Sequence, residues 1–377
     1  ERSGGRMLPP RFVVRRNCRA DRHCAFPGKN VAMSLFIRAF ADAKRLSFLL
    51  ILLFLAGSAA ARELIDEDRV LFFPDIAVLD EETDTLRVWV KSWAYEEESR
   101  TIALWTVARA LGITLDQRAP EERTLFRERT HYFQTDSERG VRLSVRLANV
   151  DRELPETNPA GRADAEFRLP TRILSDARNA HRIVFTLNAP GHPQDAREGY
   201  AWYAPPEGVS VVSDIDDTIK ISQVRDRALL MENTFLKPFV AVPGAAAWYR
   251  EMARELPGAA FHYLSASPLQ LFPALQDFLT SEGFPPGSLH LRESTAWHGL
   301  IAEKKTTIAH KTKEIERLFS LYPKRRFILI GDSGEQDAEI YADIARRHPD
   351  RVIAIHIRDA ERGVWRETLP GNAQTAD

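Results

Sequence analysis

The stretch that decides the fold is VSVVSDIDDTIK, residues 209–220. It begins with a short, mostly apolar run after the break APPEG at 204–208, and it passes directly into three carboxylates and a hydroxyl. A β-strand that exits a sheet into such side chains is one way to build a ligand site. Taken alone, the pattern D-x-D-x-T also fits a solvated acidic turn, so the surrounding sequence has to decide.

The sequence on the C-terminal side of this stretch alternates short apolar strands with helix-length amphipathic segments. We predict strands at 209–213, 260–265, 288–291, 327–331 and 352–357. Helices are predicted near 244–256, 268–282, 304–320 and 335–347. This alternation indicates an α/β domain over residues 207–377, with a Rossmann-like parallel sheet whose ligands bind at the carboxyl ends of the strands.

A period of two residues dominates the sequence from Arg69 to about Pro206. Apolar residues at 86, 88 and 90 alternate with Arg87, Trp89 and Lys91, and the segments 141–147 and 163–169 repeat the alternation. Such alternation predicts half-buried antiparallel strands. We therefore expect a smaller β-rich domain over residues 62–206, a β-sandwich or open barrel, interrupted by one helix at 101–111.

The first 61 residues have a different character. The run FLLILLFLAGSAAA at 48–61 follows basic residues and ends in small ones, which is the layout of a secretory signal. We predict a signal peptide at 33–61, with a retained membrane anchor as the alternative, although 14 residues are fewer than the roughly 20 that span a bilayer. Residues 1–32 are expected to be an unstructured extension.

Charge and cysteine content exclude several classes of function. The chain has 52 Lys and Arg against 53 Asp and Glu, and its basic excess is confined to the first 61 residues. The acidic remainder argues against nucleic acid as a partner. Both cysteines, Cys18 and Cys24, lie in that first segment, so residues 62–377 have no thiol for a disulfide, a zinc site or a nucleophile.

Polar side chains follow three of the predicted elements at the same topological position. The candidate site residues at the strand ends and on the third predicted helix are Asp214, Asp216, Thr218, Ser265, Lys311, Asp332 and Asp337. Four of them are carboxylates, which would repel one another by about 4 kcal/mol per close pair at an effective dielectric constant near 20. A bound cation would hold them together, and a set of oxygen ligands suits Mg²⁺. We therefore predict Asp214, Asp216, Asp332 and Asp337 as a magnesium site.

These residue types fit the transfer of a phosphoryl group. A phosphate monoester dianion repels an anionic nucleophile, so its charge must be neutralised, which Mg²⁺ and Lys311 would do. Asp214 is the candidate nucleophile and Asp216, two residues later, the candidate general acid and base. Ser265 would hold the transferring oxygens.

The motifs DIDDTIK, YLSASP, HK and GDSGEQD, in this order and spacing, resemble the four motifs of the haloacid dehalogenase-like phosphohydrolases. More narrowly, five segments resemble the catalytic domain of the actin-patch type of phosphatidate phosphatase. They are SDIDDTIK (213–220), NTFLKPFVAVPG (233–244), FHYLSASPLQLFP (261–273), PPGSLHLR (285–292) and RRFILIGDSGEQDAEIYA (325–342). The resemblance covers about 208–359 and implies a sheet of the haloacid dehalogenase type.

The resemblance also implies a reaction, the Mg²⁺-dependent removal of phosphate from phosphatidate to leave diacylglycerol. It makes Asp214 a metal ligand as well as the nucleophile, and it adds the backbone carbonyl of Asp216 to the metal site. Thr218 belongs to the first motif, Ser265 to the second and Lys311 to the third, whereas Asp332 and Asp337 belong to the fourth. The β-rich part resembles the corresponding region of bacterial members, which with the signal predicts export into a bacterial periplasm, or a membrane anchor if the signal stays uncut.

Two other functions remain open. One is an exported phosphatase for soluble phosphomonoesters, and the other is a non-catalytic module that binds a membrane or a protein. The apolar segment 235–242 either contacts a lipid surface peripherally or packs as a small flap on the sheet. Asp217 is expected to support its loop, and Lys324, Arg325 and Arg326 are expected to be solvated charges opposite the site. The oligomeric state is left open.

Overall fold

The computed structural model describes residues 61–97, 103–174, 181–293 and 304–368. The predicted extension at 1–32 and all of the predicted signal at 33–61 except Ala61 lie outside the described residues. Within the described residues the chain builds two β-sheets and their covering helices. This confirms the predicted mixed α/β class.

The first sheet has nine strands among the described residues. They are β1 Asp68–Phe73, β2 Asp75–Asp80, β3 Thr85–Glu96, β4 Asp136–Ser137, β5 Ser144–Leu147, β6 Val150–Glu153, β7 Arg162–Pro170, β8 Arg182–Leu187 and β9 Glu198–Ala204. All pairings are antiparallel except that of β2 with β9. The period-two pattern is confirmed here, because Leu86, Val88 and Val90 are fully buried.

This sheet differs from a sandwich, whose two sheets are hydrogen-bonded separately. The 12-residue strand β3 pairs with β7, with β1 and with β2, so it links all nine strands into one connected sheet. Two helices, α1 Ala103–Ala110 and α2 Pro120–Thr130, are inserted between β3 and β4. The sequence predicted the first of these helices and missed the second.

The second sheet has six strands. They are β10 Val209–Asp214, β11 Ala260–Pro268, β12 Gly287–Arg292, β13 Arg326–Asp332, β14 Val352–Arg358 and β15 Trp365–Thr368. The order is β12-β11-β10-β13-β14-β15, with the first five strands parallel and β15 antiparallel to β14. The sequence predicted the five parallel strands and missed β15.

Five helices in the described part of the chain accompany this sheet. They are α3 Arg227–Phe235, α4 Ala245–Glu255, α5 Phe272–Ser281, α6 Lys304–Leu321 and α7 Asp337–Arg347. One apolar core joins Val211 of β10 to α4 and α5, and another joins Val212 to α6 and α7. Adjacent residues of a strand point to opposite faces, so helices cover both faces of the sheet. The carboxyl ends of β10 and β13 are neighbours at the centre of this arrangement.

The two sheets are joined by a buried ionic contact. Asp75 of β2 is 1% exposed, and its carboxylate lies 2.9 Å from Arg317 of α6 and 3.0 Å from Lys91 of β3. Burial opposes ionisation of Asp75, but the two cations outweigh it and hold the pKa of this carboxyl well below its usual range. Asp75 is therefore ionised and paired in the folded protein.

We expect the substitution Asp75→Asn to destabilise the protein by about 3–5 kcal/mol at pH 7, because it leaves two partly buried cations without their counter-ion. A carboxyl whose pKa is lowered by folding stabilises the fold above its unfolded pKa, and this contribution is lost as the pH falls. The deficit should therefore shrink below about pH 4. Urea unfolding at pH 7 and pH 3 measures it. Asp151→Asn is the matched control, since its pair with Arg146 is exposed; an equal loss in both variants would contradict the prediction.

The prediction that Arg325 is a solvated charge is wrong. This side chain is fully buried, and its guanidinium donates to the carbonyls of Pro205 and Glu207 at 2.7 and 2.8 Å and to that of Gly258 at 3.0 Å. Pro205 and Glu207 lie just before β10 and Gly258 lies just before β11, so this one side chain links the segments that lead into two neighbouring strands. Lys324, by contrast, is half exposed and pairs with Glu81.

Candidate active site

The loop after β10 is held by Asp217. Its carboxylate accepts hydrogen bonds from the backbone N–H groups of Ser222, Gln223 and Val224 at 2.7–2.8 Å. Asp217 itself has a φ of 56°, in the left-handed region that aspartate tolerates better than most residues. The loop therefore turns sharply between Asp216 and Thr218, and Asp217 supports it as predicted.

Asp214, at the end of β10, is buried with both carboxylate oxygens engaged. Thr218 Oγ1 donates to Oδ2 at 2.9 Å, and Lys311 Nζ donates to Oδ1 at 2.7 Å. Lys311 lies on α6, is fully buried, and also donates to Glu335 at 2.8 Å and to Asp337 at 2.6 Å. One ammonium group thus contacts three carboxylates.

The loop after β13 supplies the opposite side of this cluster. Asp332 Oδ1 accepts from the backbone N–H groups of Gly334 and Glu335, and Asp337 Oδ2 accepts from the N–H of Asp332 at 3.3 Å. Gly331 makes this close approach possible, since a Cβ there would lie 2.4 Å from Asp337 Oδ2. Among the described residues, Asp332 Oδ2 is buried without a hydrogen-bond partner.

Asp214, Asp332 and Asp337 form a compact group of potential metal ligands. One carboxylate oxygen of each lies within 4.8 Å of those of the other two. Burial and the neighbouring carboxylates raise the pKa of Asp214 well above its ordinary value and that of Asp332 to about 8. With Glu335 included, the group has four carboxylates, three of which contact Lys311, so their ionisation requires more positive charge than Lys311 supplies. The all-oxygen donor set and the unpaired Asp332 oxygen fit a divalent cation.

The carboxylate of Asp216 lies apart from this group. It accepts hydrogen bonds from Ser222 at 2.7 Å, Ser265 at 2.9 Å and Ser267 at 3.1 Å, and it pairs with Lys220 at 2.7 Å. Burial opposes its ionisation, but Lys220 and these hydroxyls outweigh burial and lower the pKa of Asp216 to about 2. Its side chain therefore faces donors rather than the other three aspartates.

The structure brings the predicted residues to one edge of the sheet. Thr218 and Lys311 contact Asp214, and Ser265 contacts Asp216. Sequence reasoning missed three partners: Glu335, Lys220 and Ser267. All three lie within quoted motifs, yet a motif does not show which way each side chain points.

A cavity of about 250 Å³ opens beside Asp216. Its lining residues are Asp216, Val224, Leu230, Met231, Thr234, Phe235, Ala266, Ser267, Pro268, Leu271, Lys304, Thr307, Gly334, Glu335 and Gln336. Of the apolar segment 235–242, Phe235 and Val242 are buried, as expected for a flap packed on the sheet, whereas Val240 is 55% exposed.

Comparison with known proteins shows what this edge of the sheet is similar to. Residues 209–359 match the family model described as phosphatidate phosphatase APP1, catalytic domain. The resemblance noted in the sequence is confirmed for this segment, which contains all seven predicted site residues. The matched segment leaves out the nine-stranded sheet.

Two curated fungal proteins are similar to this chain. The phosphatidate phosphatase APP1 of Saccharomyces cerevisiae is 34% identical over 184 residues, which is 47% of this chain and 31% of the yeast protein. An uncharacterized protein of Schizosaccharomyces pombe is 36% identical over 156 residues, 40% of this chain and 25% of that protein. The chain thus spans about a third or less of the length of these relatives. A ferredoxin-NADP⁺ reductase structure from Plasmodium falciparum, with 7% identity and a TM-score of 0.18 over 77% of this chain and 95% of that one, is too dissimilar to inform the fold.

The predicted location is wrong. Both relatives come from fungi, whose cells have no bacterial periplasm, and this overturns the prediction of export into that compartment. The segment behind the prediction, residues 33–61, lies outside the described residues except for Ala61. Among the described helices, none combines the length and the apolar composition needed to cross a bilayer.

Proposed function

We propose that this protein is a Mg²⁺-dependent phosphatase that releases phosphate from a lipid phosphomonoester, phosphatidate, to leave diacylglycerol. The observation that carries the proposal is the buried group of Asp214, Asp332 and Asp337 around Lys311, at the edge of the sheet and within the segment that matches the family model. The proposal includes peripheral contact with a membrane surface, where such a substrate resides.

The proposed architecture has two domains, a β-rich domain at 62–206 and a catalytic domain of the haloacid dehalogenase type at 207–377. The strand order β12-β11-β10-β13-β14 of the second sheet supports this, because it is an order that doubly wound α/β domains use. The position of the acidic cluster after the central strands β10 and β13 supports it as well.

Asp214, Asp332 and Asp337 would hold the divalent cation, together with the backbone carbonyl of Asp216. When bound, Mg²⁺ would neutralise negative charge on the phosphate and favour the ionised form of Asp214. Lys311 adds a fixed positive charge on the same side. Because Lys311 is buried against three carboxylates, it cannot move away as the substrate enters.

In the first step a carboxylate oxygen of Asp214 attacks phosphorus, and the bond from phosphorus to the leaving oxygen breaks. This gives an aspartyl-phosphate, and the leaving oxygen needs a proton to become an alcohol. Asp216 lines the cavity next to this position and passes that proton on. Because Lys220 and the serine hydroxyls keep the pKa of Asp216 low, the proton comes from a phosphate oxygen of the monoanionic form of the substrate, whose second pKa is about 6.

In the second step water attacks the aspartyl-phosphate, and Asp216 takes the proton of that water as a general base. The ionised form that Lys220 and the three serines stabilise is the one this step needs. Phosphate leaves and Asp214 is regenerated. Thr218 holds the second oxygen of Asp214, so the attacking oxygen keeps its direction. Ser265 orients Asp216 in the same way, and its position in the C-terminal half of β11, beside Asp216, also allows it to hold the transferring oxygens.

The proposal is tested by phosphate release from phosphatidate in mixed micelles and from soluble sugar phosphates, with Mg²⁺ and with a chelator. We expect release from phosphatidate that falls by at least about 100-fold on chelation, since the uncompensated carboxylates would stay protonated. A preference for the soluble esters would instead support the second phosphatase function considered above. Release from neither class, with Mg²⁺ present, would contradict the proposal.

A further inference from the structure

The cavity beside Asp216 is lined by both polar and apolar residues. Asp216, Ser267 and Glu335 are among the polar ones. The apolar lining, called the apolar wall below, consists of Val224, Leu230, Met231, Phe235, Pro268 and Leu271. Met231, Phe235 and Leu271 belong to the buried core, whereas Leu230 is half buried, packs against the edge of that core and lines the cavity.

We infer that this apolar wall binds the part of the substrate's leaving group that lies next to the scissile phosphate. The inference rests on the proposed function, because it takes Asp216 as the residue that meets the leaving oxygen. Since Asp216 lines the cavity, the atoms attached to that oxygen must enter the same space. A hydrocarbon-bearing group there removes apolar surface from water on both sides of the contact.

The size of the cavity limits what it holds. Its volume of about 250 Å³ is below that of the pockets that enclose drug-sized ligands. The glycerol unit and the first few carbons of a lipid fit, whereas complete acyl chains do not. The cavity should therefore favour substrates that have apolar groups close to the phosphate. The rest of a lipid would extend out of the cavity.

The apolar wall is held from outside the segment that matches the family model. Its main element, α3, packs on α2, which belongs to the β-rich half. Arg129 of α2 donates to the carbonyl of Thr234 at 2.8 Å, and its guanidinium lies 3.5 Å from the centre of the Phe239 ring. Phe126 of α2 contacts Phe235, with ring centres 6.2 Å apart.

An ion pair adds to this contact near the start of α2. Arg118, just before α2, lies 2.6 Å from Glu232 of α3. The wall is thus assembled by both halves of the chain and is formed before substrate binds, which lowers the entropy cost of binding. The β-rich half therefore contributes to substrate binding, because α2 packs against the side of α3 that would otherwise be exposed to solvent.

Leu230→Gln tests the inference, with Leu229→Gln as the matched control. The two leucines are neighbours on α3 and are both half buried, but only Leu230 lines the cavity. We expect Leu230→Gln to lower kcat/KM for phosphatidate about tenfold or more and to change kcat/KM for glycerol 3-phosphate by less than about twofold. Leu229→Gln should change neither by more than about twofold. An equal loss on both substrates, or an equal effect of the two variants, would overturn the inference.

Binding of alkylphosphonates, which have no ester bond to hydrolyse, separates this inference from the proposed reaction. Calorimetric titration with ethyl-, butyl- and hexylphosphonate should show affinity rising about fourfold per added methylene, with a flatter series in Leu230→Gln. If that series is found but no ester is hydrolysed, the apolar site stands and the proposed reaction fails. If esters are hydrolysed but affinity is independent of chain length, the reaction stands and the inference is wrong.

Discussion

Asp214→Asn is expected to reduce phosphate release by about 10⁴-fold or more, the scale on which loss of a residue central to catalysis acts in other hydrolases. The asparagine side chain has nearly the same shape and can still accept a hydrogen bond from Lys311 or Thr218. It has no anionic oxygen to attack phosphorus, so the aspartyl-phosphate cannot form. Steady-state phosphate release from phosphatidate, with Mg²⁺ in excess, measures the effect.

The same variant should remain folded. Asp214 is one of three carboxylates that contact Lys311, and neutralising one of them reduces repulsion among the negative charges of the cluster. We expect a melting temperature equal to or above that of the unsubstituted protein in the presence of a chelator. Asp343→Asn, on the exposed side of α7, is the control and should leave activity unchanged. Activity within tenfold of the unsubstituted level in Asp214→Asn would remove Asp214 as the nucleophile.

The convergence of Asp214 with Asp332 could be predicted from the sequence because it follows from topology alone. Each residue ends a short apolar strand, and the carboxyl ends of adjacent parallel strands lie at one edge of the sheet. Lys311 was predictable for a related reason, since α6 connects strands of the same sheet and begins near that edge. Both conclusions follow from the order of the strands and helices along the chain, without knowing the direction of any side chain.

The direction of the Asp216 carboxylate could not be predicted in this way. Asp214 and Asp216 are two residues apart, which on a strand would place them on one face, but the strand ends at Asp214, so the alternation of a regular strand does not extend to Asp216. Lys220 then pairs with Asp216 from within the same loop. The spacing of two residues in the sequence predicts the relative direction of their side chains only where the backbone is a regular strand or helix.

Contacts between the two halves of the chain also could not be predicted from the sequence. Phe126 and Phe235 are far apart in the chain and belong to a helix that was not predicted and to a segment read only as apolar. Asp75 of the first sheet and Arg317 of α6 are also far apart in the chain and form an ion pair. A period-two pattern shows which face of a strand is buried, but it does not show what covers that face.

Lys311→Met is expected to destabilise the protein by about 3–5 kcal/mol and to abolish phosphate release. Methionine nearly preserves the length and volume of the buried side chain, so the main change is the loss of its charge. Asp214, Glu335 and Asp337 would then face one another without a counter-ion, in a position where Lys311 itself is fully buried. Urea unfolding in the presence of a chelator measures the loss, because a bound cation would compensate for part of it.

Two further variants separate charge from packing. Lys313→Met is the matched control, since Lys313 is exposed on the same helix, and it should change stability by less than about 0.5 kcal/mol. In the double variant Lys311→Met with Asp214→Asn, one of the unpaired carboxylates is neutral, so part of the stability should return although the activity should not. That recovery would measure the coupling between the two residues directly. If the single variant Lys311→Met proved as stable as the unsubstituted protein with chelator present, the cluster would be held by protonation of its carboxylates, and Lys311 would be important only for the reaction.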